Sequence, residues 1–205
     1  MKIQISFDLM NLDKALEIAS QTILYADIFE IGTQLIYKEG VKAVEKFKNN
    51  FPNKTIFVDA KVIDRFEEIV TLFAKAGANY ISVLAGTNNN AIQKASYIAH
   101  NLNTKIALDL LDACSVGQSA LEAKGLNVDL IICHRPHEPN RLIEALTDWQ
   151  DIRENTILPI FIAGGITREN ISKVLENKPQ GIVLGSCIVN AANPGQEAAY
   201  FKSLV

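Results

Sequence analysis

Eight short apolar runs recur along the chain at a regular spacing, and this repeat limits the folds available to it. Each run is rich in Ile, Val, Leu or Phe, as expected of a strand that is buried on both faces. The stretches between the runs, such as LDKALEIASQTIL, place apolar residues at helical spacing. The runs span residues 3–9, 26–32, 55–61, 78–84, 105–111, 128–134, 158–164 and 181–186.

Strands that alternate with helices predict a parallel sheet, and eight strand–helix units predict an α/β fold of the (β/α)8 type, the TIM barrel. An open doubly wound sheet is the alternative, but no G-x-G-x-x-G turn follows the first run. The chain has 205 residues, of which 48% are hydrophobic, and it contains no linker-like segment. We therefore expect residues 1–205 to form a single domain.

The composition argues against several classes of partner. The net charge is -3 with both signs scattered, and without a basic stripe no nucleic-acid partner is expected. No apolar run approaches the roughly 18 residues that a membrane span needs. The start MKIQISFDLM is interrupted by polar residues, unlike a secretory signal, and the three cysteines lack metal-ligand spacing. A cytoplasmic protein is expected.

Polar residues gather at the C-terminal ends of the predicted strands, where (β/α)8 barrels carry their active sites. One polar strand end has an ordinary structural explanation, but polar ends on several strands together indicate a functional rim. These residues are Asp8, Glu30, Asp59, Lys61, Asp109 and His134, and the last two strands end in Gly164, Gly165 and Gly185.

The glycines after the last two strands predict a phosphate site. Loops seven and eight of a barrel commonly bind phosphate through backbone N–H groups and a helix N-terminus. In IAGGIT, two glycines precede Thr167, which we expect to cap the following helix. Tight turns are the simpler explanation of these glycines.

The charged residues of the rim indicate a metal-assisted reaction. Glu30 and Asp59 offer the hard oxygen ligands that suit Mg²⁺. Lys61, between Asp59 and Asp64, is expected to stay charged and to stabilise an oxyanion such as an enediolate. His134 is a candidate proton carrier near neutral pH, although a lone histidine is often a satisfied core residue.

Several segments together resemble one protein family. DAKVID, residues 59–64, resembles the D-x-K-x-x-D motif of the orotidine monophosphate decarboxylase suprafamily. FDL, ADIFEIGTQLI, AGGIT and GSCIVNAANPGQEA resemble its magnesium-dependent branch. That branch contains 3-hexulose-6-phosphate synthases and 3-keto-L-gulonate-6-phosphate decarboxylases, and the resemblance extends over essentially the whole chain.

The resemblance implies a lyase that forms an enediolate of a sugar phosphate, in a homodimer with shared active sites. It implies that Glu30 and Asp59 bind Mg²⁺ and that Lys61 is the cation at the enediolate. Asp64 matches a carboxylate that is lent to the partner subunit's site. The remaining matches are His134 for proton transfer, Asp8 on the first strand, and Gly164, Gly165, Gly185 and Ser186 at the phosphate.

A few positions bear on the choice of reaction within the branch. Asp109 and Ser186 favour the synthase. Arg135 matches the first of two decarboxylase arginines and is a candidate substrate-binding residue, but His137 stands at the second. The decarboxylase therefore stays the alternative.

The residues after Asp64 depart from the family pattern, in which a small residue and a glycine follow. Arg65 and Phe66 stand there instead. This departure leaves open a phosphosugar-binding barrel without catalysis. A pentulose-phosphate epimerase is a further possibility that AGGIT alone would allow, but the metal-binding histidines of that family are not evident.

Overall fold

The computed structural model describes residues 1–135 and 141–205. Eight parallel strands pair in chain order and close into a barrel, in which the eighth strand pairs with the first. The predicted (β/α)8 barrel is therefore confirmed. The open doubly wound sheet is wrong, because such a sheet has two unpaired edge strands, whereas here the first and eighth strands pair.

Each predicted apolar run overlaps one strand of the barrel, although β1 begins one residue before its run and β3 ends one residue after its run. The strands are β1 (Lys2–Phe7), β2 (Ile28–Ile31), β3 (Thr55–Val62), β4 (Tyr80–Leu84), β5 (Lys105–Asp109), β6 (Leu130–Cys133), β7 (Ile160–Ala163) and β8 (Gly181–Leu184). Most strands are shorter than their apolar runs, because the runs include residues of the loops before or after the strand.

Ten helices surround the barrel in the described part of the chain. They are α1 (Leu12–Thr22), α2 (Thr33–Glu39), α3 (Val41–Asn50), α4 (Phe66–Lys75), α5 (Asn89–Asn101), α6 (Val116–Ala123), α7 (Arg141–Asn155), α8 (Ile171–Glu176), α9 (Ser186–Val189) and α10 (Pro194–Ser203). The expectation of one helix per unit is wrong twice, after β2 and after β8. Gly40, with φ of 61°, divides α2 from α3, because this left-handed conformation interrupts a helix.

The helix after β7 begins later than the sequence predicts. Thr167 does not cap it, since α8 starts at Ile171 after Asn170. The side chain of Asn170 accepts from the Thr167 N–H at 2.8 Å and donates to the Gly165 carbonyl at 2.8 Å. These two bonds hold the intervening residues in a turn, so the loop after β7 is longer than expected.

The barrel interior has an apolar floor below the polar rim. Its side chains point inward from six strands and are almost fully buried: Ile28, Phe57, Ala107, Leu130, Ile132, Phe161, Ala163 and Val183. The rings of Phe57 and Tyr80 stack there with centroids 6.1 Å apart. Because these side chains fill the barrel, polar groups above them face a cleft that is closed from below.

A separate and larger core lies between the barrel and its helices. Phe7, Phe29 and Phe47 meet in it edge to face or tilted, with centroids 5.1 to 6.2 Å apart. Burying each such side chain stabilises the fold by about 1.5–3 kcal/mol. In the described ranges, 1–135 and 141–205, no helix has the length and apolar character needed to span a bilayer.

Candidate active site

A cleft of about 740 Å³ opens at the C-terminal ends of the strands. All the predicted site residues except Asp64 and Arg135 line it. The structure thus gathers residues from β1, β2, β3, β5 and β6, and from the loops after β7 and β8, around one space.

Asp59 and Lys61 form an ion pair near the C-terminal end of β3. Lys61 has φ of 46°, and the register between β3 and β4 is irregular between Val58 and Val62. The Asp59 carboxylate accepts from the Thr33 hydroxyl at 2.8 Å and from the Ser82 hydroxyl at 3.0 Å. Both charged groups therefore reach the cleft from a locally distorted strand.

Asp109 links Lys61 to His134. Its buried carboxylate lies 3.8 Å from Lys61 Nζ and 3.1 Å from His134 Nδ1. A carboxylate only accepts hydrogen bonds, so His134 Nδ1 carries a proton and Nε2 is the nitrogen that can take one. The interpretation of His134 as a mere core histidine is disfavoured, because its ring lines the cleft.

The carboxylates of this group favour the charged forms of Lys61 and His134. Burial lowers the pKa of Lys61, but the carboxylates of Asp59 and Asp109 raise it more, so the pKa lies above its usual value. Burial likewise lowers the pKa of His134, and the hydrogen bond and charge of Asp109 raise it above its usual value. Lys61 is therefore a fixed cation, whereas His134 titrates at a pH governed by Asp109.

Glu30 is buried beside this pair. Its carboxylate accepts from Gln4 Nε2 at 2.5 Å and from the Ser6 hydroxyl at 2.7 Å. Burial, followed by the negative charge of Asp59, raises the pKa of Glu30 to about 7, against the opposing effect of the two donors. A divalent cation bound beside Glu30 would favour the charged form of this carboxyl.

The oxygen groups near Glu30 fit a Mg²⁺ ion. The side-chain amide oxygen of Gln4 is buried and has no hydrogen-bond partner among the described residues, so it is a third hard oxygen beside Glu30. In the same part of the chain, no three His, Cys, Asp or Glu side chains cluster as metal ligands. Mg²⁺ does not need such a cluster, since it usually takes one or two carboxylates and completes its shell with water and substrate.

Asp8 is fixed at the rim by the start of α2. Its carboxylate accepts from the Gln34 backbone N–H at 2.8 Å. A side chain at Gly32 would place its Cβ only 2.7 Å from the Asp8 backbone, so a residue without Cβ is needed for this close approach.

The predicted phosphate loops lie on the side of the cleft formed by β7 and β8. Gly164 and Gly165 have φ of 102° and 71°, a conformation that favours glycine. Gly185 and Ser186 line the cleft where α9 begins. At the three glycines, no side chain stands between the backbone and the cleft.

Two predicted site residues lie outside the cleft. Asp64 is exposed in the loop after β3, and its carboxylate accepts from the Arg65 N–H at 2.7 Å. Arg135 donates from Nε to Asp148 on α7 at 2.6 Å. His137 lies outside the described residues.

The departure after Asp64 does not disturb the cleft. Arg65 is exposed and pairs with Glu68 at 3.5 Å, while Phe66 is buried in the core at the start of α4. The unusual residues therefore alter the loop and the helix start rather than the lining of the cleft.

Sequence reasoning missed the polar residues that bond the carboxylates of Glu30 and Asp59, namely Gln4, Ser6, Thr33 and Ser82, and also missed Gln34 and Asn190, which line the cleft. A signal existed for the first two, because Gln4, Ser6 and Asp8 alternate along a run that is otherwise apolar and so share one face of β1. Thr33 and Ser82 carry no such signal, since a single hydroxyl residue is common both at a helix start and within a strand.

The chain matches the model of the orotidine 5'-phosphate decarboxylase / HUMPS family over residues 1–201. It is 30% identical to a 3-hexulose-6-phosphate synthase of Bacillus subtilis (strain 168), over 100% of this chain and 99% of that protein. It is 29% identical, with the same coverage, to a 3-hexulose-6-phosphate synthase of Staphylococcus aureus (strain USA300).

Solved structures give the same result. A 3-hexulose-6-phosphate synthase crystal structure superposes with a TM-score of 0.92 at 28% identity, over 100% of both chains. The 3-keto-L-gulonate-6-phosphate decarboxylase of Vibrio cholerae O1 biovar El Tor str. N16961 superposes with a TM-score of 0.86 at 26% identity, over 98% of this chain and 95% of that one. The predicted resemblance is confirmed, and the chain belongs to the orotidine 5'-phosphate decarboxylase / HUMPS family.

Proposed function

We propose that the protein is a lyase that acts on a phosphorylated ketose, with the 3-hexulose-6-phosphate synthase reaction as its activity. The observation that carries this proposal is the Lys61 ammonium, held between two carboxylates and facing the same cleft as His134. Such a fixed cation suits a reaction in which negative charge develops on substrate oxygens. The full-length relatives named as synthases support the same choice.

In the proposed reaction, the phosphate of ribulose 5-phosphate binds at the loops that contain Gly164, Gly165, Gly185 and Ser186. This leaves the other end of the sugar near Lys61. Asp8, held by Gln34, lines the cleft at the end of β1 and is available to a sugar hydroxyl. Binding energy from the phosphate thereby orients the reacting carbon.

His134 then moves the proton. Neutral His134 takes the C1 proton of ribulose 5-phosphate on Nε2, which leaves a 1,2-enediolate. The Lys61 ammonium stabilises the charge on the enediolate oxygens. C1 forms a bond to the carbon of formaldehyde, and the formaldehyde oxygen receives the proton from His134, so that a hexulose 6-phosphate results.

Glu30 and Asp59 would hold Mg²⁺, with the side-chain amide oxygen of Gln4 as a further hard oxygen beside Glu30. When bound, Mg²⁺ supplies a Lewis acid for the oxygens of the substrate. Gln4 and Ser6 orient the Glu30 carboxylate for this role, and Thr33 and Ser82 orient that of Asp59.

The active assembly that we propose is a homodimer in which Asp64 completes the partner's site. The exposed position of Asp64, outside its own cleft, supports this role. The cysteines Cys114, Cys133 and Cys187 are free, which fits the proposed cytoplasmic location.

A 3-keto-L-gulonate-6-phosphate decarboxylase is the second candidate function, favoured by Arg135 next to His134 and by the similarity to the Vibrio cholerae enzyme. The pairing of Arg135 with Asp148 supports the synthase instead, because the guanidinium bonds α7 and Arg135 does not line the cleft. Asp109 and Ser186, which line the cleft, are the other residues in favour of the synthase.

A paired assay tests the proposal. We expect the protein with Mg²⁺ to consume formaldehyde in the presence of ribulose 5-phosphate, and EDTA to stop this consumption. Release of CO₂ from 3-keto-L-gulonate 6-phosphate without formaldehyde consumption would establish the decarboxylase instead. Turnover of neither substrate would point to a phosphosugar-binding barrel.

A further inference from the structure

Ser82 lies directly behind the Asp59–Lys61 pair and makes two hydrogen bonds there. It is fully buried on β4 and does not line the cleft. Its hydroxyl oxygen accepts a hydrogen bond from the Lys61 backbone N–H at 2.8 Å, and the hydroxyl donates a hydrogen bond to Asp59 Oδ1 at 3.0 Å. A hydroxyl has a single proton, and Lys61 N–H is itself a donor, so these two roles are fixed.

The Ser82 hydroxyl accepts the Lys61 N–H hydrogen bond at a place where the backbone ladder between β3 and β4 is interrupted. At φ of 46°, Lys61 adopts a left-handed conformation that residues with a Cβ rarely take. The β3–β4 register is irregular between Val58 and Val62, where Lys61 lies. Such a conformation persists only where the surroundings determine it, and Ser82 provides that determinant for the Lys61 N–H.

The bond to Asp59 fixes the other half of the pair. Ser82 donates a hydrogen bond to one carboxylate oxygen of Asp59, and Thr33 donates to the other at 2.8 Å. Thr33 also accepts from Lys61 Nζ at 3.2 Å. Both hydroxyls therefore connect Asp59 with Lys61, but only Ser82 reaches the Lys61 backbone.

We infer that Ser82 is a positioning residue that sets the geometry of Lys61 relative to Asp59. This inference deepens the proposed function and rests on it wherever activity is the readout. Because Ser82 does not line the cleft, it acts on the reaction through Lys61 and Asp59 and not through direct contact with the substrate. Its loss should lower kcat and leave KM for ribulose 5-phosphate nearly unchanged.

Two variants of Ser82 and one matched control test the inference. Ser82→Ala removes both hydrogen bonds, and Ser82→Cys keeps the volume while weakening them. Ser96→Ala is the control, because Ser96 is also fully buried but bonds only the Ile92 carbonyl within α5. We expect kcat to fall about 10–100-fold in Ser82→Ala and less in Ser82→Cys, because a displacement of the Lys61 ammonium by a fraction of an ångström to an ångström lowers the rate by such a factor.

The control should keep the wild-type kcat, and all three variants should keep KM. Wild-type kcat in both Ser82 variants, or an equal loss in Ser96→Ala, would overturn the inference. If Ser82→Ala fails to fold, the comparison of Ser82→Cys with the control decides in the same way.

A crystal structure of Ser82→Ala, or of Ser82→Cys if Ala does not fold, separates this inference from the proposed function. We expect Lys61 to leave the left-handed conformation or its contact with Asp59. An unchanged Lys61 backbone and ion pair would overturn the positioning role, whatever the activity. An inactive wild-type protein would refute the proposed function, while the change at Lys61 would still support the inference.

Discussion

At the scale of single residues, Lys61 is the group on which the proposed chemistry depends. It is the cation that Asp59 and Asp109 hold in the cleft, and the charge of the enediolate would fall on it. We expect Lys61→Ala to lower kcat by about 10²–10³-fold or more, as the removal of one oxyanion donor does in other enzymes.

The control for this substitution is Lys54→Ala. Lys54 is also partly buried, but its ammonium donates to the Ala26 carbonyl at the opposite end of the barrel. Steady-state kinetics with ribulose 5-phosphate and formaldehyde measure both variants. Equal losses in the two proteins would show that the effect is structural and would remove Lys61 from the proposed mechanism.

The link between Asp109 and His134 predicts a pH effect. Asp109 raises the pKa of His134 against burial, so the pKa should lie above 6.5 in the wild type and fall in Asp109→Asn. Since neutral His134 is the proposed base, kcat/KM should rise with pH through this pKa, and the rise should move to lower pH in the variant.

A histidine NMR titration measures this pKa without the reaction. Asp129→Asn is the control, because Asp129 bonds His100 and should leave the His134 titration unchanged. A His134 pKa that is the same in Asp109→Asn and in the wild type would contradict the account.

At the scale of secondary-structure elements, the start of α4 carries local strain. Arg65 precedes this helix with φ of 49° and makes no side-chain cap. A left-handed residue with a Cβ costs about 1–2 kcal/mol, and glycine avoids this cost at some loss of chain entropy. We expect Arg65→Gly to raise the free energy of unfolding by about 0.5–1 kcal/mol.

Urea denaturation measures this change, and Arg65→Ala is the matched variant. Alanine keeps the Cβ and loses the same exposed ion pair with Glu68, so it should not stabilise the protein. Equal stability of the Gly and Ala variants would show that the backbone at Arg65 is not strained.

The barrel floor predicts a second stability effect. A Cβ at Gly181 on β8 would lie 2.6 Å from the Phe161 ring inside the barrel. We expect Gly181→Ala to destabilise the fold by about 1–3 kcal/mol, as overpacking of a filled core does. In Gly125→Ala, the added methyl meets only the Glu122 carbonyl at 3.4 Å, so this control should change stability little. Equal unfolding midpoints for the two variants would contradict a filled barrel interior.

The sequence predicts the elements better than their local geometry. The eight strands follow from apolar runs, because a strand buried on both faces must be apolar throughout. The division of α2 from α3 at Gly40 and the late start of α8 depend on single backbone conformations and side-chain bonds. The glycine at position 40 is a residue type typical of a helix end, so this division is partly visible in the sequence, whereas the late start of α8 leaves no periodic trace.

The same limit applies to the site. Asp59, Lys61, Asp109 and His134 are predictable because charged residues at strand ends must converge in a barrel. The positive φ of Lys61 is not visible in its residue type, and the contact of Ser82 with Lys61 depends on how β3 pairs with β4. The pairing of Arg135 with Asp148 also depends on tertiary packing, here on the position of α7 beside the end of β6, so the sequence does not predict it.

At the scale of the whole molecule, the proposed dimer makes a complementation test possible. If Asp64 serves the partner's site, a heterodimer of Lys61→Ala and Asp64→Ala chains contains one site with both residues intact. Two inactive variants should therefore regain activity after unfolding and refolding together. Random pairing of equal amounts makes half of the dimers heterodimers. Each heterodimer has one intact site out of two, so the mixture should approach a quarter of wild-type activity.

Separate refolding of each variant is the control, and sedimentation velocity verifies the dimer. If the mixture stays inactive although the chains exchange, Asp64 does not act across the interface. A monomeric wild-type protein with full activity would refute the shared site altogether.

The most direct test of the proposed function is to follow the carbon that the reaction should add. The protein is mixed with Mg²⁺, ribulose 5-phosphate and ¹³C-labelled formaldehyde, and the products are observed by NMR. We expect the label to appear in a hydroxymethyl carbon of a hexulose 6-phosphate with the wild type and to stay in formaldehyde with Lys61→Ala. Label that stays in formaldehyde with the wild-type protein would contradict the account.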